Sequence, residues 1–361
     1  MVEAFMNSKK TVFVGMSGGV DSSVTAALLV EQGYKVVGVY MKNWTQDIPG
    51  FVCPWKEEFQ DAKRVAVKLG IELRVFDFEK EYRQKVVDYM IDEYKAGRTP
   101  NPDIMCNQEI KFKLFLDTAL EQGADLIATG HYARVKHYPN GRAELLTAAN
   151  KEKDQTYFLY RVTQQALSKT LFPVGDFATK EEVRTKAKEF GLPTADKKDS
   201  QGICFVGKVG IKEFLKQYVD TEPGPIVDSD GRAIGRHDGA IFYTIGQRHG
   251  LNVGGGLPYY VTGKDMSVNT VYVTTDLQDE SLWSDTVHLQ DVHWINKVPK
   301  TDEKYQVRLR YRGPLVECEI KVNEKLVSLK LSEKQRALAA GQSAVIYGTT
   351  QVLGGGVLSA E

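Results

Sequence analysis

Two kinds of residue pattern in this chain could do chemistry: one glycine-serine loop and two separated cysteine segments. Residues 15–22 read Gly15-Met16-Ser17-Gly18-Gly19-Val20-Asp21-Ser22 and lie between an apolar run and a helical stretch. Gly18 and Gly19 carry no Cβ, so the backbone can come close to an anion. The N–H groups of a first helical turn point at the same place, and a helix N-terminus favours an anion by roughly 0.3–1 kcal/mol. Ser17, Ser22 and Ser23 add hydroxyl donors. The spacing is too short for a Walker A loop, no Lys follows the glycines, and G-x-G-x-x-G is not matched. The same letters also fit an ordinary tight turn with an Asp/Ser helix cap.

The four cysteines are Cys53, Cys106, Cys204 and Cys318, with no Cys-x-x-Cys pair, which argues against a zinc knuckle or a disulfide framework. In a reducing compartment such cysteines are packing residues or single reactive thiols. Residues 98–107 read Arg-Thr-Pro-Asn-Pro-Asp-Ile-Met-Cys-Asn, a proline-stiffened turn before a helix. Asp103 and Cys106, three apart at a helix start, can share a side. The carboxylate could move a proton, and a thiol at a helix N-terminus ionises more readily than a free one. A capping Asp103 and a packed Cys106 fit the spacing equally. Cys204 lies in Asp-Ser-Gln-Gly-Ile-Cys-Phe-Val-Gly, residues 199–207, after Lys197 and Lys198, whose charge favours thiolate. Its neighbours Ile203, Phe205 and Val206 equally describe a buried strand cysteine. Cys53 in Phe-Val-Cys-Pro-Trp and Cys318 in an alternating strand read as packing.

The elements that must position these groups alternate between strand and helix in the first part of the chain. Apolar strands are expected at 11–16, 35–41, 72–78 and 125–129, and helices at 21–32, 57–69, 79–95 and 111–121 with glycine stops at Gly33, Gly70, Gly97 and Gly123. That rhythm implies an α/β fold with a parallel sheet covered on both faces. Near residue 200 the rhythm changes. After a short helix at 211–218 come turn-rich stretches and short alternating strands. The expected organisation is a catalytic domain over 1–207, a small mixed or β central domain over 208–276, and a C-terminal antiparallel β-barrel over 277–361.

The 361 residues carry 47 basic and 47 acidic side chains, so no whole-chain field attracts nucleic acid and RNA contact must come from local patches. Arg308, Arg310 and Arg312 alternate with Val307, Leu309 and Tyr311 and would form a phosphate-binding stripe on one strand face. A solvated face paired with Glu317 and Glu319 fits as well. Arg232, Arg236, Gln247, Arg248 and His249 would extend that surface. The apolar run 11–16 is too short for a signal segment or a membrane span, so the protein is expected in the cytoplasm, away from membranes.

S-G-G-V-D-S at 17–22 resembles the loop of the ATP pyrophosphatase superfamily, whose members release pyrophosphate as they adenylate an oxygen. Further motifs resemble the tRNA-specific 2-thiouridylase family: N-P-D-I-M-C-N at 101–107, A-T-G-H-Y-A at 128–133, K-D-Q-T-Y-F-L at 153–159, D-S-Q-G-I-C-F-V-G at 199–207 and Y-T-I-G-Q-R-H-G-L at 243–251. The resemblance runs along nearly the whole chain and departs only at positions such as Gln201. It implies that residues Gly15 to Ser22 hold ATP phosphates, with Met41 and Gly130 at the adenosine. It implies that Cys204 carries a persulfide, that Cys106 is a second catalytic thiol able to form a disulfide with Cys204, and that Asp103 is the acid/base. Asn101, Pro102 and Asp103 would line the target base. His131, Lys153, Asp154, Gln155, Arg310, Tyr311 and Gln342 would contact tRNA. The implied partners are tRNA with a wobble uridine and a protein delivering persulfide to Cys204. ATP implies Mg²⁺; the sequence does not show its ligands, though Asp21 is a candidate near the phosphates.

Two competing readings use the same loop. An amidating synthetase attacking with ammonia leaves Cys106 and Cys204 unexplained, and a non-catalytic nucleotide-sensing tRNA-binding protein leaves both thiols and Asp103 without a task.

Overall fold

The computed structural model describes residues 10–50, 52–199, 210–251, 253–254, 256–301, 303–323 and 326–359. Strands β1 (Thr11–Gly15), β2 (Lys35–Lys42), β3 (Glu72–Asp77) and β4 (Leu126–Ala128) are followed by a hairpin, β5 (Arg134–His137) and β6 (Ala143–Leu146), and by the short β7 (Thr170–Leu171). The five-stranded sheet runs in the order β3-β2-β1-β4-β7 with every pair parallel. Side chains alternate across a strand, so β1 sorts its residues between two cores. Val12 and Val14 pack with Val24, Leu28 and Val65 of the helices Val20–Glu31 and Trp55–Leu69. Phe13 packs on the other face with Val86, Met90, Ile110 and Phe115. Burial on both faces is why β1 reads as a continuous apolar run.

Two helices depart from the expected 3.6-residue pattern. The stretch expected as one helix over 79–95 runs α (Glu79–Tyr82), π (Arg83–Asp88), α (Tyr89–Lys95). The helix expected at 111–121 begins at Pro102, in the first-turn position where a missing N–H costs nothing. It then runs through a π segment (Cys106–Leu114) into the α-helix Phe115–Glu121. The sequence pattern also passed over the hairpin, β7 and the helix Lys180–Glu189. The helix expected at 211–218 forms over Ile211–Leu215.

The central part pairs β8 (Gly224–Val227), β9 (Ala233–His237), β10 (Tyr260–Asp265) and β11 (Thr270–Thr274) in the order β10-β11-β8-β9. Its Ile226, Val261 and Val271 join the same apolar cluster as Tyr94 and Phe214. The sheet is therefore packed against the first part of the chain rather than closed on itself. The last part is a closed barrel, β12 (Trp283–Trp294), β13 (Lys304–Arg308), β14 (Val316–Asn323), β15 (Leu326–Arg336), β16 (Ser343–Tyr347) and β17 (Val352–Leu358). Val307, Cys318, Ile320, Leu329 and Ile346 fill it.

The barrel corrects the arginine stripe. β13 ends at Arg308, the Gly313 N–H bonds the Arg310 carbonyl at 2.9 Å, and Arg312 has a left-handed φ of 60°. Residues 309–312 form a turn, not a strand, so strand alternation does not align the three guanidiniums in one stripe. Arg308 lies over the Tyr347 ring at 5.7 Å. Among the described residues, no helix is long and apolar enough to cross a membrane.

Candidate active site

The glycine-serine loop leaves β1 and holds itself together. The Ser17 N–H donates to Ser22 Oγ at 3.2 Å, and the hydroxyls of Ser22 and Ser23 both donate to the Gly19 carbonyl, at 3.1 and 2.8 Å. Gly18 sits at φ +74°, and a Cβ there would lie 2.2 Å from the Glu58 carbonyl oxygen. Gly130, at the end of β4, packs so closely that a Cβ would lie 2.7 Å from the Ser22 nitrogen. Gly130 therefore fits under the first turn of the helix, while Met41 lies beside Gly15 with 3.0 Å between its Cε and the position of a Cβ. A strand leading through a glycine-rich loop into a helix N-terminus is an arrangement that can accept an anion on backbone N–H groups.

Asp21 corrects an expectation. Both its oxygens accept from the Lys180 ammonium, at 2.7 and 2.8 Å, and Oδ1 also accepts from the Tyr132 hydroxyl at 2.9 Å. A carboxylate so committed is a poor Mg²⁺ ligand, and the described residues hold no group of three or more metal-ligating side chains. In this arrangement Asp21 is not free to ligate a cation. Lys180 also pairs with Asp199 at 2.9 Å, as do Lys153 at 3.1 Å and Arg184 at 3.2 Å. Burial works against ionisation of Asp199, but Lys180 and Lys153 outweigh it and hold its carboxyl below the ordinary range. This cluster ties the glycine-serine loop to the residue that begins the second cysteine motif. Cys204 itself lies outside the described residues.

Asp103 and Cys106 occupy the start of the Pro102 helix. Cys106 is buried and Asp103 half-buried. Burial pushes the Asp103 carboxyl up, against the pull of the Lys111 ammonium. Burial also pushes the Cys106 thiol up, with Lys111 and a hydrogen bond with the Tyr82 side chain opposing the rise and Asp103 adding to it. The helix start alone predicts an easily ionised thiol. Desolvation outweighs it here, and the described structure holds a protonated Cys106 at neutral pH. Lys111 also depresses the His131 imidazole, whose burial already lowers it well below its ordinary value. One cation thus faces Asp103, Cys106 and His131, five residues beyond the thiol. The i→i+5 bonding of a π segment brings residues five apart nearer one face than an α-helix does, and such segments recur at functional sites. Sequence reasoning missed Lys111, Lys180 and Tyr132; a period-5 step in the apolar pattern is the signal that finds the first.

The end of β4 joins the two sites. Gly130 touches the loop, and the next residue, His131, packs its ring 5.7 Å from Phe112 and 6.2 Å from Phe172 while Nδ1 bonds Thr129 Oγ1 at 2.7 Å. His131 is thereby buried, so the tRNA contact expected of it has no exposed ring behind it. Asp154 is likewise buried, accepting from the Ala148 N–H and the Thr156 hydroxyl, and Gln155 accepts from the Tyr132 N–H at 2.9 Å. Gln342 donates to the Thr99 carbonyl at 2.8 Å. These residues brace the site from within. Arg310 is exposed, Tyr311 stacks on Phe158 at 4.3 Å, and Lys153 is half-buried. A cleft of about 430 Å³ between the central sheet and the barrel is lined by Gln247, Arg310, Arg336 and Gln342, and another of about 450 Å³ by Lys151, Lys153, Arg308, Tyr311 and Arg312. Asn101 caps the Pro102 helix by backbone alone, and Pro102 is buried. Cys53 and Cys318 are packing residues as expected. Cys53 donates to the Trp44 carbonyl at 3.5 Å, and burial pushes Cys318 up to about 12.

Three family models match the chain: a tRNA methyl transferase HUP domain over residues 10–208, a tRNA methyl transferase PRC-barrel domain over 212–275, and an aminomethyltransferase beta-barrel domain over 284–358. The tRNA-specific 2-thiouridylase MnmA of Methylobacillus flagellatus is 48% identical over 358 residues, covering 97% of this chain and 99% of that protein. The protein of the same name from Streptococcus pyogenes serotype M2 is 47% identical, covering 98% and 96%. A solved 4-thiouridine synthetase–RNA complex with bound ATP is 19% identical, covers 58% of this chain and 50% of its own, and superposes with a TM-score of 0.36.

Proposed function

The chain belongs to the family of tRNA-specific 2-thiouridylases, and from that premise we propose that it replaces the C2 oxygen of a tRNA wobble uridine with sulfur at the expense of ATP. The observation that carries the reading is the seam at Gly130 and His131, which joins a phosphate-binding loop to a carboxyl and a thiol on one helix. A methyl transfer would have no use for that pair.

A uracil carbonyl oxygen is a poor leaving group. In the proposed reaction it attacks the α-phosphorus of ATP held by residues 15–22, and pyrophosphate departs. The terminal sulfur of a persulfide on Cys204 then attacks C2, and the oxygen leaves with AMP. A Cys106 thiolate attacks the Cys204 sulfur, forming a Cys106–Cys204 disulfide and leaving 2-thiouridine; an external thiol reduces the disulfide. Asp103 is the acid/base. Its raised carboxyl supports that role, because proton transfer is most efficient when the group titrates near the working pH. Cys106 lies protonated in the free protein, so the reading requires tRNA binding or Asp103 to release its proton. We assign RNA phosphates to Lys153, Arg310 and Arg312 at the rim, and internal support to His131, Asp154, Gln155 and Gln342. Residues up to about 207 do the chemistry, and the central sheet and barrel grip RNA. A persulfide-carrying protein loads Cys204, in the cytoplasm.

The test is nucleoside analysis of unmodified tRNA after incubation with ATP and a sulfur donor. Wild type makes 2-thiouridine, and Cys204→Ser makes none. Full thiolation by the Cys106→Ala, Cys204→Ala double variant contradicts the proposal.

A further inference from the structure

We propose that the barrel turn at residues 340–342 sets the position of the Asn101–Asp103 base loop, through Thr99, so that the C-terminal barrel completes the active site rather than only gripping RNA. The proposal rests on the reading of Asp103 and Cys106 given above, and it assigns Thr99, Thr244 and Gly341 as positioning residues.

Every polar group of Thr99 is taken by another part of the chain. Its N–H donates to the Ala340 carbonyl at 2.8 Å, its carbonyl accepts from Gln342 Nε2 at 2.8 Å, and its hydroxyl lies 3.1 Å from that of Thr244. The barrel side of this clamp is rigid. Gly341 holds a left-handed φ of +91°, its N–H donates to the Leu358 carbonyl at 3.0 Å, and the Leu358 N–H donates to the Gln342 carbonyl at 2.8 Å. A Cβ on Gly341 would lie 2.8 Å from the Thr99 nitrogen and 3.0 Å from Arg98 Cβ, so only glycine allows this approach. Upstream, Gly97 is pressed against Met266 of the central sheet, where a Cβ would meet Cγ at 2.8 Å.

The loop has little support of its own. Asn101 caps the Pro102 helix with no side-chain hydrogen bond, so the start of the helix bearing Asp103 and Cys106 takes its position from outside. Thr99 lies two residues before Asn101, with two tethers to the barrel turn and one to the central part of the protein. Gln342 has its amide donor committed to this clamp, which explains its placement without a direct RNA contact. A displacement of about 1 Å in a reacting group can cost roughly 10²-fold in rate, so loosening the clamp should be read in turnover before affinity.

Three measurements on full-length protein test this: thiolation kcat, tRNA Kd by gel shift, and the rate of Cys106 alkylation followed by peptide mass spectrometry. Gly341→Val should lower kcat by about 10²-fold, leave tRNA Kd near the wild-type value, and raise Cys106 alkylation several-fold. Thr99→Val should do the same to a smaller extent, and Thr99→Ser, which keeps the hydroxyl, should restore wild-type behaviour. If Gly341→Val fails to fold, the Thr99 pair decides. A folded Gly341→Val with unchanged alkylation and kcat overturns the proposal, as does weaker tRNA binding with kcat preserved. Alkylation needs no thiolation, so a wild type that made no thiouridine would count against the proposed function while leaving the clamp testable.

Discussion

The glycine-serine loop and the Asp103–Cys106 helix start lie on either side of one strand end and are built in opposite ways. The loop is held by hydrogen bonds among residues 17–23 and by glycines that admit no side chain. The helix start is held by distant residues: Thr99 by Ala340, Gln342 and Thr244, and the thiol by Tyr82 and Lys111. A locally determined loop suits a ligand present in every turnover. A site assembled from three parts can wait for a large substrate that touches all three.

The contrast breaks most sharply at Gly18. Gly18→Val adds a side chain at φ +74° into the Glu58 carbonyl, so ATP affinity measured by calorimetry should fall by roughly 10–100-fold, the equivalent of about 1–3 kcal/mol of backbone strain, with the Cys106 alkylation rate unchanged. An ATP affinity close to wild type would mean the loop is more adaptable than drawn. Asp103→Asn should do the converse, lowering kcat by about 10²–10⁴-fold with ATP affinity intact. It should also stabilise the protein at neutral pH. Burial raises the Asp103 carboxyl in the fold, so the stabilising contribution is complete below the ordinary carboxylate range and lost as pH rises through the raised value. Thermal melts should show Asp103→Asn above wild type at pH 7.5 and converging with it near pH 4. A variant melting below wild type at pH 7.5 would contradict the assignment.

A smaller effect sharpens the electrostatics. Cys106 alkylation should rise with pH to a midpoint above that of a free thiol, and Lys111→Met should move the midpoint higher still, since Lys111 opposes the upward push of burial. An unmoved midpoint would remove Lys111 from the site. The least effect is expected at the rim. Arg310→Glu should weaken tRNA binding and flatten the dependence of log affinity on log salt by about one or two contacts; an unchanged slope would take Arg310 out of the RNA footprint.

The same contrast decides what the sequence could reveal. Gly18, Gly19 and Ser22 are adjacent, and their chemistry is a property of neighbouring backbone, so the loop and its parallel sheet were legible from spacing. The spacing predicts a helix only from 111, because the buried pair Ile110 and Phe115 takes the five-residue step of a π segment. Alternation predicted a strand through 312, but alternation continues across the turn that Gly313 closes. Asp21 looked free for a metal because Lys180 is 159 residues away, and His131 looked available to RNA because nothing in A-T-G-H-Y-A reveals Phe112 and Phe172 around it. The barrel was legible from its short strands; its hold on Thr99 was not.

The central claim is that the nucleotide loop activates the oxygen that sulfur replaces. Transfer RNA carrying ¹⁸O at C2 of the wobble uridine tests it directly. The account predicts that ¹⁸O appears in the phosphate of AMP, one label for each 2-thiouridine formed. Label released to water, with unlabelled AMP, would contradict it.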